Sequence, residues 1–231
     1  MSIDADGWFS WAIKDPGPQE RQNGGRNGGK GIIPHSAEGY WPVLRQVLWG
    51  DRGSSWGASN LKDGRFIQHY SVWAQTWTSG AGYPNNNFFA FENEGVAGQP
   101  LTQAQTDNII RVGRELMAVQ HWTPRRPLND GDKMASLYEH RECTRWGALG
   151  TACPSGRIPW DVIVPALKAP PPEEEDMAER VWNVDLKQTW LIGKHGASPV
   201  LYPTMDEPFI ALYGPHTKAM SNAELEKIRV K

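Results

Sequence analysis

The stretch EHRECTRWGALGTACPSGRIPW, residues 139–160, holds His140 and both cysteines of the chain, Cys143 and Cys153. His140 and Cys153 stand thirteen residues apart, with the cysteine in a Thr151-Ala152-Cys153-Pro154 turn. A catalytic zinc takes three N, S or O ligands from the protein and keeps a further position open. His35, at the end of the apolar run GIIPH (31–35), completes a two-His, one-Cys set of that kind. Cys143 is a rival for the sulfur ligand, because His140 and Cys143 share a face if this segment is helical. A histidine on a strand is also a common structural residue, so spacing alone leaves the set open.

The flanking sequence supplies elements to hold such a set. GIIPH reads as a short buried strand. WPVLRQVLWG (41–50) puts Val43, Leu44, Val47 and Leu48 at helical spacing, with Gly50 as the stop. KDGRFIQHY (62–70) is a Lys62-Asp63-Gly64 turn leading into a strand, a hairpin signal. In NNNFFAFENEG (85–95) Phe89 and Phe91 share one strand face, and Glu92 and Glu94 the other. Thr102 and Gln105 are spaced for a capping box, followed by a stripe of Ile109, Val112, Gly113, Leu116 and Val119. Residues 15–31, DPGPQERQNGGRNGGKG, read as a flexible loop. Alternating strands and helices predict an α/β or α+β layer fold.

KAPPPEEED (168–176) has three prolines that stiffen it and four acids that solvate it. It divides the chain into residues 1–168, a linker at 169–176, and a small module at 177–231. In the module, Trp182, Val184, Leu186, Trp190 and Ile192 keep a period of two, predicting a strand or hairpin. TMDEPFIALYG (204–214) and SNAELEKI (221–228) each open with capping-box spacing, so the module reads as α+β.

A net charge of -2 and a pI near 6.3 argue against electrostatic nucleic-acid binding. Tryptophan is abundant, with 12 copies against 6 Tyr and 6 Phe. That surplus suits either carbohydrate stacking or core packing. Two cysteines make no disulfide framework. The opening MSIDADGWFSW lacks the basic and apolar regions of a signal peptide. No run approaches the ~18 apolar residues of a membrane span. The expectation is a cytosolic product with reduced thiols and no membrane insertion.

HRECTRWGALGTACPSG resembles the His…Thr-x-Cys-Pro-Gly signature of type 2 N-acetylmuramoyl-L-alanine amidases, which include phage lysozyme-type amidases and peptidoglycan-recognition proteins. GIIPHSAEG, ASNLKDGRFIQHY, FFAFENEG and PLTQAQTDNIIRVGREL resemble that family's first-histidine strand, hairpin, Glu-bearing strand and following helix, in order. The likeness covers about residues 30–165. It implies a mixed central sheet flanked by helices, with Zn2+ held by His35, His140 and Cys153. It leaves Cys143 without a metal role. It implies Glu92 as general base toward water and Thr151 facing the reacting carbonyl. Trp56 stands where many phage-type members carry a catalytic Tyr, and Trp77-Thr78-Ser79-Gly80 where relatives show Trp-His-Ala-Gly. Trp56 and Trp77 are the candidate substrate-binding residues.

The activity so implied is hydrolysis of the bond between N-acetylmuramic acid and L-alanine in bacterial peptidoglycan. A phage endolysin, held in the host cytoplasm until release to the cell wall, fits the opening sequence. The alternatives are a virion-associated hydrolase and a non-catalytic peptidoglycan-binding protein. For residues 177–231 the expectations are wall binding, or oligomerisation or docking. The resemblance leaves Glu94 as a solvated strand end or a partner to a ligand histidine. It leaves His69, His121, His195 and His216 as ordinary histidines.

Overall fold

The computed structural model describes residues 3–129 and 131–170, together with the backbone of 179–183, 188–193, 196–199 and 218–220. The chain divides into two compact units, Met1–Ala169 and Pro170–Lys231. From residue 171 on, the expected linker lies outside the described residues.

The first unit runs β1 (Ile13–Lys14), β2 (Gln22–Arg26), β3 (Ile32–Ser36), α1 (Val43–Trp49), β4 (Ala58–Asn60), β5 (Phe66–Gln68), β6 (Ala74–Thr76), α2 (Gly82–Asn87), β7 (Phe89–Asn93), α3 (Gln103–Gln120) and α4 (Trp160–Lys168). Short 3-10 turns lie at Gln19–Arg21, His140–Glu142 and Thr144–Trp146. The main sheet has the order β1-β5-β4-β7-β3. β4 and β5 pair antiparallel as the expected hairpin, while the other neighbours run parallel. This is the mixed sheet with flanking helices that the sequence predicts.

Side-chain alternation gives the two faces of β7 different tasks. Phe89 and Phe91 point to one side, in a core with Ile32, Ala58, Ile109, Val112, Leu116, Ile163 and Leu167. Fully burying a side chain of this size contributes about 1.5–3 kcal/mol. Ala90 and Glu92 occupy the other face, and the site is built there.

α3 begins as the sequence predicts. The Thr102 hydroxyl oxygen accepts from the Gln105 N–H, and the Gln105 side chain accepts from the Thr102 N–H. Gly113 lets α4 approach closely, since a Cβ there would lie 2.7 Å from Leu167 Cδ2.

The Gly-rich run at 15–31 is not a free loop. β2 lies within it and pairs antiparallel with β6. The Tyr70 hydroxyl donates to the Pro18 carbonyl at 2.8 Å. Arg21 donates to the carbonyls of Leu48 (2.6 Å), Arg52 (3.1 Å) and Gly50, closing the C-terminal end of α1. These are bonds of backbone atoms, one tyrosine hydroxyl and one arginine, which no apolar periodicity announces.

In the second unit the strands β8 (Glu179–Asn183), β9 (Gln188–Gly193), β10 (Gly196–Pro199) and β11 (Lys218–Met220) form a sheet of order β10-β9-β8-β11. β8 and β9 pair antiparallel, as the period of two predicts. The helices expected over 204–214 and 221–228 lie outside the described residues.

Candidate active site

Register in the sheet brings the first groups together. His35 on β3 lies opposite Glu92 on β7, and Glu92 lies opposite Ser59 on β4. Between parallel strands, residues in register share a face, so His35, Glu92 and Ser59 form a row across it. His35 is 2% exposed, and its Nδ1 sits 3.8 Å from Glu92 Oε1. The Asn93 side chain donates to the His35 carbonyl at 2.7 Å and steadies the strand end.

The segment 139–160 delivers two more groups from above the sheet edge. His140 opens a 3-10 turn, with its ring centroid 4.7 Å from that of His35. Its Nε2 lies 3.2 Å from the Ser79 carbonyl oxygen. A carbonyl only accepts, so Nε2 carries the hydrogen and Nδ1 keeps the lone pair. Cys153 Sγ lies 3.6 Å from His35 Nδ1 and accepts from the Ser36 N–H at 3.2 Å. The Arg141 N–H donates to the Cys153 carbonyl at 2.9 Å, tying the histidine turn to the cysteine turn. Ligand atoms of His35, His140 and Cys153 all lie within 4.8 Å of one another. Cys143 is outside this group. It is buried with Ile33, Phe88 and Tyr138, and its Sγ donates to the Glu139 carbonyl.

A buried arginine locks the ends of both strands. Arg157, 4% exposed, donates to Ser36 Oγ and to the carbonyls of Asn93, Glu94 and Gln99. Gly95, at φ +116°, makes room for it, since a Cβ there would lie 2.4 Å from Arg157 Nη2. Glu94 is structural as well. Its carboxylate accepts from the backbone N–H groups of Trp41 and Lys62 and meets no histidine.

The donor chemistry fits a zinc-type cation. Burial holds His35 well below its ordinary pKa, with the nearby His140 adding to the effect, and burial lowers His140 too. Both rings therefore stay neutral, as metal ligands must. Burial pushes the Cys153 thiol up to about 12, Glu92 adding to it, and Glu92 up to about 8, Glu38 adding to it. A divalent cation reverses that logic and favours the ionised forms. Glu92 Oε2 is buried without a hydrogen-bond partner among the described residues. An orphaned carboxylate oxygen beside two imidazoles and a thiol is what a missing positive charge leaves behind.

These groups open on a cleft of about 530 Å³. Trp56, Trp77, Leu44, Val47, Arg52 and Leu149 are among its walls, with Glu92, His140 and Ser79 at its chemical end. Trp56 is 4% exposed, and its indole N–H donates to Ser59 Oγ at 2.9 Å. That donor is therefore spent inside the protein. The Trp77 indole N–H donates to Asn23 Oδ1 at 2.9 Å, on the β2 segment. The Thr151 hydroxyl oxygen accepts the Cys153 N–H at 3.1 Å, which leaves its own hydrogen to donate. Trp146 packs against Tyr83, Phe88 and Tyr138, and Trp73 packs on the main core.

Three contributors escaped sequence reading. Ser79 acts through a main-chain carbonyl, which has no signature. Arg157 sits two residues past the Cys153-Pro154-Ser155 turn and looks like any surface arginine. His69 is fully buried, between Ser59 Oγ and the Asp15 carbonyl, each at 2.9 Å. Its place directly after β5, in a run buried from Phe66 to Tyr70, gives no periodic signal.

No protein-family model matches the sequence, and no curated protein matches it. Solved structures do match in fold. An AmpD derivative is 16% identical, with 73% of this chain and 100% of that chain covered and a TM-score of 0.51. A mutant endolysin from Bacillus subtilis is 18% identical, with 68% and 97% covered and a TM-score of 0.50. An endolysin N-acetylmuramoyl-L-alanine amidase from Clostridium intestinale URNW is 18% identical, with 69% and 96% covered and a TM-score of 0.48. The chain has the type 2 amidase fold. Among the described residues, no helix is long and apolar enough to cross a membrane.

Proposed function

We propose that the chain is a zinc-dependent N-acetylmuramoyl-L-alanine amidase. It hydrolyses the amide between the lactyl group of N-acetylmuramic acid and L-alanine of the stem peptide, and serves as a phage endolysin. The observation that carries this reading is the convergence of His35, His140 and Cys153 within 4.8 Å at the end of a cleft, beside the Glu92 carboxylate. The fold shared with a Bacillus subtilis endolysin supports the lytic role.

His35, His140 and Cys153 would hold the metal. Zn2+ there would supply Lewis acidity, polarising a carbonyl and acidifying water. Glu92, on the same sheet face as His35, takes the proton of the attacking water and returns it to the leaving nitrogen. The Thr151 hydroxyl donates to the oxyanion, a role worth up to about 3 kcal/mol where such donors have been removed. Trp56 and Trp77 form apolar walls for glycan and peptide. Residues 1–168 are the catalytic part and 169–176 the linker. Residues 177–231 bind the wall, raising the effective concentration of the enzyme on an insoluble polymer.

The test is mass spectrometry of muropeptides released from purified peptidoglycan, with and without chelator, beside Cys153→Ser. Stem peptides beginning at L-alanine are expected, and both treatments should abolish them. Intact peptidoglycan with the protein still attached would overturn the enzyme reading in favour of a binding module. Recovery of the protein in purified phage particles would replace the endolysin role with a virion-associated one.

A further inference from the structure

We propose that Ser79 is a positioning residue for both metal-binding histidines, holding each ring by its far nitrogen so that both site-facing nitrogens carry lone pairs. The inference rests on the metal reading above. It concerns a residue that differs from the Ala in the Trp-His-Ala-Gly pattern of similar amidases.

The geometry is two-handed. The Ser79 carbonyl oxygen receives the His140 Nε2 hydrogen at 3.2 Å, and Ser79 Oγ stands 3.5 Å from His35 Nε2. The opposite nitrogen of His35, Nδ1, is the one that faces Cys153 Sγ and Glu92 Oε1. A neutral imidazole has one N–H and one lone pair. The Ser79 carbonyl fixes the hydrogen on Nε2 of His140. On His35 the Ser79 hydroxyl can accept or donate, and in the proposed role it accepts the Nε2 hydrogen, which leaves the lone pair on Nδ1 of each ring. Neither ring then has to change tautomer or rotate when a cation arrives.

Ser79 is itself fixed. It is fully buried, and its N–H donates to Asn85 Oδ1 at 2.8 Å. Asn85 lies in α2, directly before β7, the strand that carries Glu92. One serine thus links the helix before β7 to the donors from β3 and from the 139–160 segment. The hydroxyl has no other hydrogen-bond partner among the described residues, so its contact with His35 is its whole polar environment.

The test titrates the full chain with Zn2+ against a chromogenic chelator and records the melting temperature with and without zinc. Ser79→Ala, which removes the hydroxyl and keeps the carbonyl, should weaken zinc binding about tenfold. It should shrink the zinc-induced rise in melting temperature while leaving the metal-free melting temperature close to that of the parent. Asn85→Ala, which frees the Ser79 backbone, should weaken zinc binding in the same direction. It also serves if Ser79→Ala does not fold. A merely structural serine would lower the metal-free melting temperature and leave zinc affinity within twofold of the parent, and that result overturns the proposal. A parent chain that binds no zinc overturns the metal reading and this inference with it.

Discussion

At the scale of the residue, His69 is held from two sides in one tautomer. Its Nδ1–H donates to the Asp15 carbonyl and its Nε2 accepts from Ser59, which in turn accepts from the Trp56 indole. No site on the ring is left for a second proton. Burial accordingly lowers its pKa from 6.5 to about 4, the Asp15 carbonyl and carboxylate opposing and Arg45 adding to the shift. The unfolded chain therefore binds a proton between those values that the folded chain refuses. His69 contributes full stability above pH 6.5 and loses it as pH falls toward 4, by about 3 kcal/mol. Urea unfolding at stepped pH should show a steeper acid loss for the parent than for His69→Gln. That comparison separates His69 from His35 and His140, which shift in the same direction. Glu92 allows a second prediction. Glu92→Gln keeps the shape but cannot take a proton, so turnover should fall about 10²–10⁴-fold. Zinc binding, measured by chelator competition, should persist though weakened, because the three donors are untouched while a nearby negative charge is lost.

At the scale of the element, α3 and α4 form the support beneath the site. They pack on the sheet face opposite His35 and Glu92, through Phe89 and Phe91. Leu167 is 3% exposed and lies against Gly113. Leu167→Ala should cost about 2–5 kcal/mol, because the rigid helix pair cannot collapse onto the gap. Thr102→Ala removes one half of the capping box and should cost about 1 kcal/mol. Chemical denaturation of the full chain reads both. α3 was legible in the sequence because its apolar spacing and capping box are local signals, whereas α4, which has no side-chain cap, was not. Nor was β2. Its residues, Gln22 to Arg26, contain two glycines and no β-branched side chain, and its partner β6 lies some fifty residues away. Glu94 shows a similar limit. It lies just past the end of β7 and is buried rather than solvated, its role set by N–H groups of Trp41 and Lys62 that arrive from distant loops.

At the scale of the whole molecule, the chain divides at Ala169 into two compact units, to which the proposed function assigns catalysis and wall binding. A chain ending at residue 169 should cleave a soluble muramyl peptide at an unchanged rate but sediment far less with insoluble peptidoglycan. Equal sedimentation of both chains would remove wall binding from residues 177–231. His35 and Cys153 stand at punctuated places, a strand end and a Cys-Pro turn, but spacing alone left the ligand set open and the family resemblance selected it. What orders them was not legible, since the Arg157 guanidinium reaches carbonyls of distant strand ends and Ser79 meets both histidines only in the folded chain. The row His35–Glu92–Ser59 has one more consequence. Its spacing belongs to the hydrogen-bonded ladder and not to any side chain, so drift in sequence that preserves the ladder preserves it. The other two donors ride on turns that can lengthen or shorten. Changes within 139–156 can thus shift His140 and Cys153, while the distance from His35 to Glu92 is inherited intact with the ladder.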